Sequence, residues 1–190
     1  MATAAPPSPR RTQAERRAKT YQQLLASACE LFGKQGYANT SLEDIANDCE
    51  LTTRPIYHYF GNKKALFDAV NETMEQRILD SMSAEDSGVD IMADWQAFTE
   101  LCDDPGFRQI VLIDSPNVLG KQRWANRAVT LKAQAHFKNR SSSKAEYYRR
   151  QLFSRMLMAA FAEAALVIAE ADDIKIAKQQ AKLLIEKYFS

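Results

Sequence analysis

SLEDIANDCELTTRPIYHYFGNKK, residues Ser41–Lys64, sets two short helical patterns around a sharp turn. Ser41-x-x-Asp44 has the spacing of a capping box and opens the first helix, whose inward stripe is Leu42, Ile45, Ala46 and Cys49. Glu50-Leu51 makes the turn. Thr52 is the expected cap of a second helix running to about Phe60, with Pro55 in its first turn, where a missing N–H costs nothing. Gly61-Asn62 then breaks the chain. On the second helix Ile56 and Phe60 share one face by i, i+4 spacing, which leaves Thr53, Arg54, Tyr57 and His58 on the other. Each outward side chain can hydrogen-bond a base edge or a phosphate, and Arg54 is the type suited to a guanine edge. Two short helices joined this way form a helix-turn-helix, whose second helix can lie in a DNA major groove.

The flanking sequence supports this unit. Thr12-x-x-Glu15 is a second capping box, and Tyr21, Leu24, Leu25, Ala28, Leu31 and Phe32 recur at helical spacing up to Gly36, a left-handed stop. The spacing predicts a first helix over about 13–35. From Lys63 a further helix carries Leu66, Phe67, Val70, Met74 and Ile78 on one face. Lys63 and Lys64 fall in its first turn, where cations oppose the helix dipole by about 0.3–1 kcal/mol each. An arriving phosphate would offset that cost.

Beyond residue 80 the pattern stays helical: a polar link over 80–89, a helix over 90–101, and an apolar, β-branched run from Phe107 to Ile113 read as helix for want of a partner strand. A helix holding Trp124 and Leu131 follows, then a loop over 139–143, a long helix over 145–171 and a last one over 174–188. The fold expected is all-α, of about nine helices. Residues 1–11 are expected to form a disordered basic arm, 12–62 a three-helix helix-turn-helix domain, and 63–190 a helical domain.

Six glycines and six prolines, three of the latter within the first nine residues, are too few for the repeated turns of a sandwich or barrel. No run approaches 18 unbroken apolar residues and the start has no apolar core, so a cytoplasmic protein without a membrane span is expected. Cys29, Cys49 and Cys102 are scattered, which suggests neither a disulfide framework nor a metal site. No cofactor is expected. Residues 1–65 carry a net charge of +3 and residues 66–190 of −2. Arg10, Arg11, Arg16, Arg17 and Lys19 crowd the start, a pattern suited to a polyanion or to a solvated tail.

The run from Leu24 to Val70 resembles the DNA-binding domain of TetR-family transcriptional regulators, a likeness that extends over roughly Ala18–Ile78 and implies a ligand-binding and dimerisation role for the helical domain of residues 63–190. It has the F-x-x-x-G-[YF] stretch (Phe32–Tyr37), the [TS]-x-x-x-I-A stretch (Ser41–Ala46), then Y-x-[YH]-F (Tyr57–Phe60) and the Asn62-Lys63 pair, all in fixed register. One position departs: Glu50 stands where the family usually has glycine, at a cost on the order of 1 kcal/mol if its backbone is left-handed. The resemblance implies a homodimer that binds a pseudo-palindromic operator, usually as a repressor, and is released by a small-molecule effector. By position it implies DNA contacts from Ser41, Thr52, Thr53, Tyr57, His58, Tyr59 and Lys63, to which the residue chemistry adds Arg54 and Lys64. Effector-lining candidates are Trp95, Phe98, Phe107, Trp124 and Phe137, each better suited to plain core. The last two helices would pair across a two-fold axis through Leu152, Met156, Ala160, Ala164, Ile168, Ala181, Leu184, Ile185 and Tyr188, stripes that could also be intrachain core.

Two other classes compete with this one. Asp114-Ser115 with the distant His136 hints at a hydrolase, yet no G-x-S-x-G elbow or glycine-rich phosphate loop accompanies them. A helical interaction protein on the same scaffold, without operator-specific binding, is the other.

Overall fold

The computed structural model describes residues 12–82, 90–120 and 143–189, and every regular element among them is helical. In chain order these are α1 (Gln13–Asn39), α2 (Leu42–Asp48), α3 (Arg54–Phe60), α4 (Lys63–Ser81), α5 (Ile91–Leu101), α6 (Pro105–Arg108), a π-helical turn (Gln109–Asp114), α7 (Ser115–Val118), α8 (Lys144–Glu170) and α9 (Ile174–Phe189). The expected helix of Trp124 and Leu131 and the loop after it lie outside the described residues, as does most of the polar link.

Helix starts follow the local chemistry. Thr12 Oγ1 accepts the Glu15 amide while Glu15 accepts the Thr12 amide, and Ser41 with Asp44 repeats the box at 3.0 and 2.7 Å. Asn62, Asp90, Asp104 and Ser143 cap α4, α5, α6 and α8. Gly36, at φ +81°, breaks α1 as expected, but the chain resumes a helical turn to Asn39, so α1 is longer than its pattern predicts.

The α2–α3 turn closes with two bonds, Leu51 N–H to the Ala46 carbonyl at 2.8 Å and Glu50 N–H to that of Asn47 at 3.0 Å. That is a Schellman closure, and it puts Glu50 at φ 54°, the left-handed position that favours glycine. The turn also moves the start of α3. Thr53, not Thr52, precedes the helix, with φ −70° and ψ −14° and no side-chain cap bond. Capping needs an extended backbone to swing the hydroxyl over the third amide, which Thr53 lacks.

Seven-residue helices cannot stand alone. Gln23 Nε2 donates to the Cys49 carbonyl at 3.1 Å and Ser27 Oγ to that of Ile45 at 3.5 Å, tying α2 to α1. Leu42, Ile45, Ala46 and Ile56 are buried below them. The core continues through Phe32, Phe67 and Phe107, all essentially inaccessible. Such burial contributes about 1.5–3 kcal/mol per large apolar side chain.

α4 packs on α1 and α3 at one end and on α5 at the other, so it belongs to both halves of the chain. α1 also contacts α6 and the π-helical turn. There Gly33 and Gly106 meet so closely that a Cβ on Gly33 would lie 2.9 Å from the Gly106 Cα. α8 and α9 pack together and against α5, with Phe153 facing Phe189 at 5.8 Å. By length and composition alone α8 could cross a membrane, but Ser154, Leu157, Phe161, Ala165 and Ile168 form a buried face within the chain.

Candidate nucleic-acid interface

α3 is held by one face and free on the other. Ile56 is fully buried, and Phe60 stacks on Tyr21 of α1 with ring centroids 4.9 Å apart. Thr52, Arg54, Tyr57 and His58 are exposed, Tyr57 at 53%, and Thr53 is half-buried. An exposed tyrosine ring of that size on a short helix has no packing role to explain it. Tyr59 is placed differently. Its ring meets Tyr21 edge-on at 5.8 Å and its hydroxyl points to the Arg17 carbonyl at 3.4 Å, so it serves first as a buttress between α3 and α1.

The two lysines after the turn also differ. Lys63 Nζ stands 4.2 Å from the centroid of the Tyr37 ring, a cation–π contact worth about 0.5–1 kcal/mol at an exposed site. The half-buried Lys63 therefore has an internal partner that offsets its position against the α4 dipole. Lys64 is exposed, with no partner among the described residues, and still fits the expectation of an arriving anion. Ser41 lies near this group, its Oγ accepting the Asp44 amide. The Ser41 hydroxyl and amide, and after them the Lys63 ammonium, hold the Asp44 carboxyl below its ordinary value. The expected DNA-contacting residues thus divide: Thr52, Arg54, Tyr57, His58 and Lys64 are exposed on α3, before it or at the start of α4, Ser41, Thr53 and Lys63 are half-buried, and Tyr59 turns toward α1.

Sequence patterning missed the Tyr37 seat of Lys63 as a contact, since the two lie 26 positions apart. Burial pushes the Tyr37 phenol up from its ordinary range.

The pocket candidates are core here. Trp95 and Phe98 face Phe161 at 5.0 and 5.8 Å, and Phe107 is 1% exposed beside Phe98. Trp95 also borders an open groove of about 420 Å³ between α5 and α9, next to Gln96, Lys178 and Lys182. Trp124 and Phe137 lie outside the described residues. Two of the proposed interface residues are corrected: Ile168 and Ile185 are 6% and 3% exposed inside the single chain, where α8 and α9 pack on α5. Leu152, Met156, Leu184 and Tyr188 are 56–64% exposed, and Ala160, Ala164 and Ala181 are half-buried beside them. Ser115 is fully buried, and His136 lies outside the described residues. No cluster of three or more His, Cys, Asp or Glu able to hold a metal occurs among the described residues.

A helix-turn-helix head with one free reading face, set on an all-helical body, defines a DNA-binding regulator of the helix-turn-helix class. A family model for bacterial regulatory proteins of the tetR family matches residues 24–70, and one for tetracyclin repressor-like C-terminal domains matches residues 90–189. The chain belongs to the TetR family of transcriptional regulators. It is 41% identical over 59 residues to a probable acrEF/envCD operon repressor of Escherichia coli (strain K12), across 31% of this chain and 26% of that protein. It is 40% identical over 57 residues to the transposon Tn10 TetC protein of Escherichia coli, across 30% of this chain and 29% of that protein. The matched stretch thus spans under a third of either relative. A TetR-family regulator from Pectobacterium atrosepticum superposes with a TM-score of 0.65 at 29% identity, over 94% of this chain and 96% of the other. A TetR variant from Acinetobacter baumannii AYE in complex with minocycline shares the fold, with a TM-score of 0.58 at 18% identity over 87% and 92% of the chains.

Proposed function

We propose that the protein is a cytoplasmic homodimer that binds a pseudo-palindromic operator through α3, represses transcription there, and lets go when a small molecule enters its C-terminal body. The free face of α3 carries this reading: Arg54, Tyr57 and His58 are exposed together while Ile56 and Phe60 anchor the helix from behind. Arg54 and Tyr57 would read base edges, and Lys63, Lys64, Ser41 and the two threonines would hold phosphates. Residues 12–62 act as the reading head and 63–190 as the body, with α4 shared between them. Dimerisation would use the exposed stripe of Leu152, Met156, Leu184 and Tyr188 with the alanines between them, which would place two α3 helices about 34–36 Å apart, one turn of DNA. An effector releases DNA only by binding one arrangement of head and body better than the other.

The test is selection of bound sequences from random duplex, followed by titration at several salt concentrations. Tyr57→Ala and Lys63→Ala should leave fold and dimer intact, yet lower operator affinity about 10-fold or more for a reading side chain and flatten the salt slope by about 1 for a phosphate contact. Equal affinity for operator and random duplex, abolished by salt, would assign the chain to non-specific polyanion binding instead.

A further inference from the structure

Asp114 ends the π-helical turn of the body and reaches the head. Its Oδ2 accepts the Tyr37 N–H at 2.7 Å across 77 residues of sequence, and the Gln109 side-chain amide at 3.1 Å. The approach depends on Gly36: a Cβ there would stand 3.1 Å from Gln109 Nε2 and 3.6 Å from the Asp114 carboxylate, so the backbone itself lies against the acid. Beyond its amide, Tyr37 is held by rings, Phe32 stacked at 5.7 Å and Phe67 edge-on at 5.0 Å. Lys63 Nζ then sits over the Tyr37 ring. An unbroken line of contacts therefore runs from a carboxylate in the body, through one backbone amide and one ring, to an ammonium on the DNA-facing side. The π turn decides which side chain completes it. Wide turns of this kind are rare and concentrate at functional sites, and an ordinary α-helical register would rotate the following residues by about one position, withdrawing the carboxylate from Tyr37.

We propose that Asp114 is a positioning residue for DNA binding: it anchors the Tyr37 amide to the body, so that the Tyr37 ring sets where the Lys63 ammonium stands for a phosphate. This rests on the operator-binding role above and adds the contact by which the body acts on it. A body state that moves the 109–114 turn loosens Lys63 without touching α3.

The experiment uses the full-length protein and the duplex obtained by selection, with Asp114→Ala, Asp114→Asn, Lys63→Ala and the Asp114→Ala/Lys63→Ala pair titrated by anisotropy across a salt series. Asp114→Ala should weaken binding about 3- to 10-fold and flatten the salt slope toward that of Lys63→Ala, whose own change is about 1 for a lost phosphate contact. Asp114→Asn, whose amide oxygen still accepts an N–H, should retain most of the affinity. The double variant should bind no worse than Lys63→Ala, because the two act through one contact. Wild-type slope in Asp114→Ala, or losses that multiply in the pair, would overturn the assignment. If Asp114→Ala melts early, Tyr37→Leu reads the same line from its middle: it should reproduce the Lys63→Ala slope, and an unchanged slope would equally overturn it. Should Tyr57→Ala and Lys63→Ala bind like wild type, the operator-binding role fails instead, a result distinct from failure at Asp114 alone.

Discussion

Gly33→Ala sets two effects of opposite sign against each other. Gly33 lies in the helical part of α1, where alanine is favoured by about 0.8–1 kcal/mol on helix propensity. The added Cβ, however, would stand 2.9 Å from the Gly106 Cα and 3.4 Å from its carbonyl oxygen, both backbone atoms. That backbone is not free to retreat. Asp104 accepts the Gly106 amide at 2.9 Å, and the Arg108 guanidinium donates to the Cys102 carbonyl. Overpacking against fixed atoms costs about 1–3 kcal/mol, so the expected net effect is a loss centred near 1 kcal/mol. For a chain of this length that lowers Tm by about 2–4 °C. Calorimetry of wild type and variant at one shared protein concentration measures it, because association makes Tm concentration-dependent. Gly106→Ala is the control: its Cβ meets the Asp104 carboxylate at 3.3 Å and the Gly33 Cα at 3.4 Å, a gentler crowding that should cost less. A rise in Tm for Gly33→Ala would show that the α1–α6 contact yields freely and would refute the idea of a tight seam between head and body.

Glu50→Gly should raise the urea midpoint. It relieves a left-handed backbone, about 1–2 kcal/mol, against the extra chain freedom of glycine, about 0.5–1 kcal/mol; a lower midpoint would show that Glu50 makes a compensating contact. The Asp44 carboxyl, held below its ordinary 3.8, adds stability that is complete above that value and lost as pH falls through the lower folded-state value. Ser41→Ala removes the largest cause, so a carboxyl-carbon NMR titration should show the Asp44 midpoint moving up, and an unmoved midpoint would discount the cap. Leu152→Glu with Met156→Glu places charge on side chains that are 61% and 60% exposed in the single chain. On the proposed dimer, sedimentation should find the variant as folded monomer, and a variant that stays dimeric would move the interface elsewhere.

What the sequence disclosed, and what it hid, follows from the range of each interaction. The starts of α1 and α2 were readable because Thr12 with Glu15 and Ser41 with Asp44 act across three residues. Gly36 and Gly61 were readable because a positive φ is a property of one residue. The start of α3 falls one threonine later than the pattern predicts: Thr53 has a helical backbone and no side-chain cap bond, and two adjacent hydroxyls look alike until the turn is built. Helical stripes on α8 and α9 could not say which chain covers them, and Ile168 and Ile185 proved to face inward while Leu152 and Leu184 face out. The 107–113 run was helical as expected, yet its π turn left no local signature. Tyr37 and Asp114 were each visible, one within a family motif and one beside Ser115, but nothing local joined them.

The pair Lys63-Lys64 sharpens the electrostatic argument for DNA. Taken from sequence, both lysines oppose the α4 dipole and both call for an anion. In the fold, the Tyr37 ring and the nearby Asp44 carboxylate compensate Lys63 before any phosphate arrives, and the cation–π contact of about 0.5–1 kcal/mol is of the same size as the dipole cost. Its position therefore says less about an anion than its spacing implied, and more about preorganisation. A lysine already seated on a ring loses less side-chain freedom when it meets a phosphate, so more of the contact survives as affinity. Lys64, uncompensated among the described residues, is the one whose placement still calls for an anion. On the proposed reading one lysine is set by the protein and the other is left to the DNA; among the described residues the first alone is tied, through Tyr37, to Asp114, and so could be moved from the body.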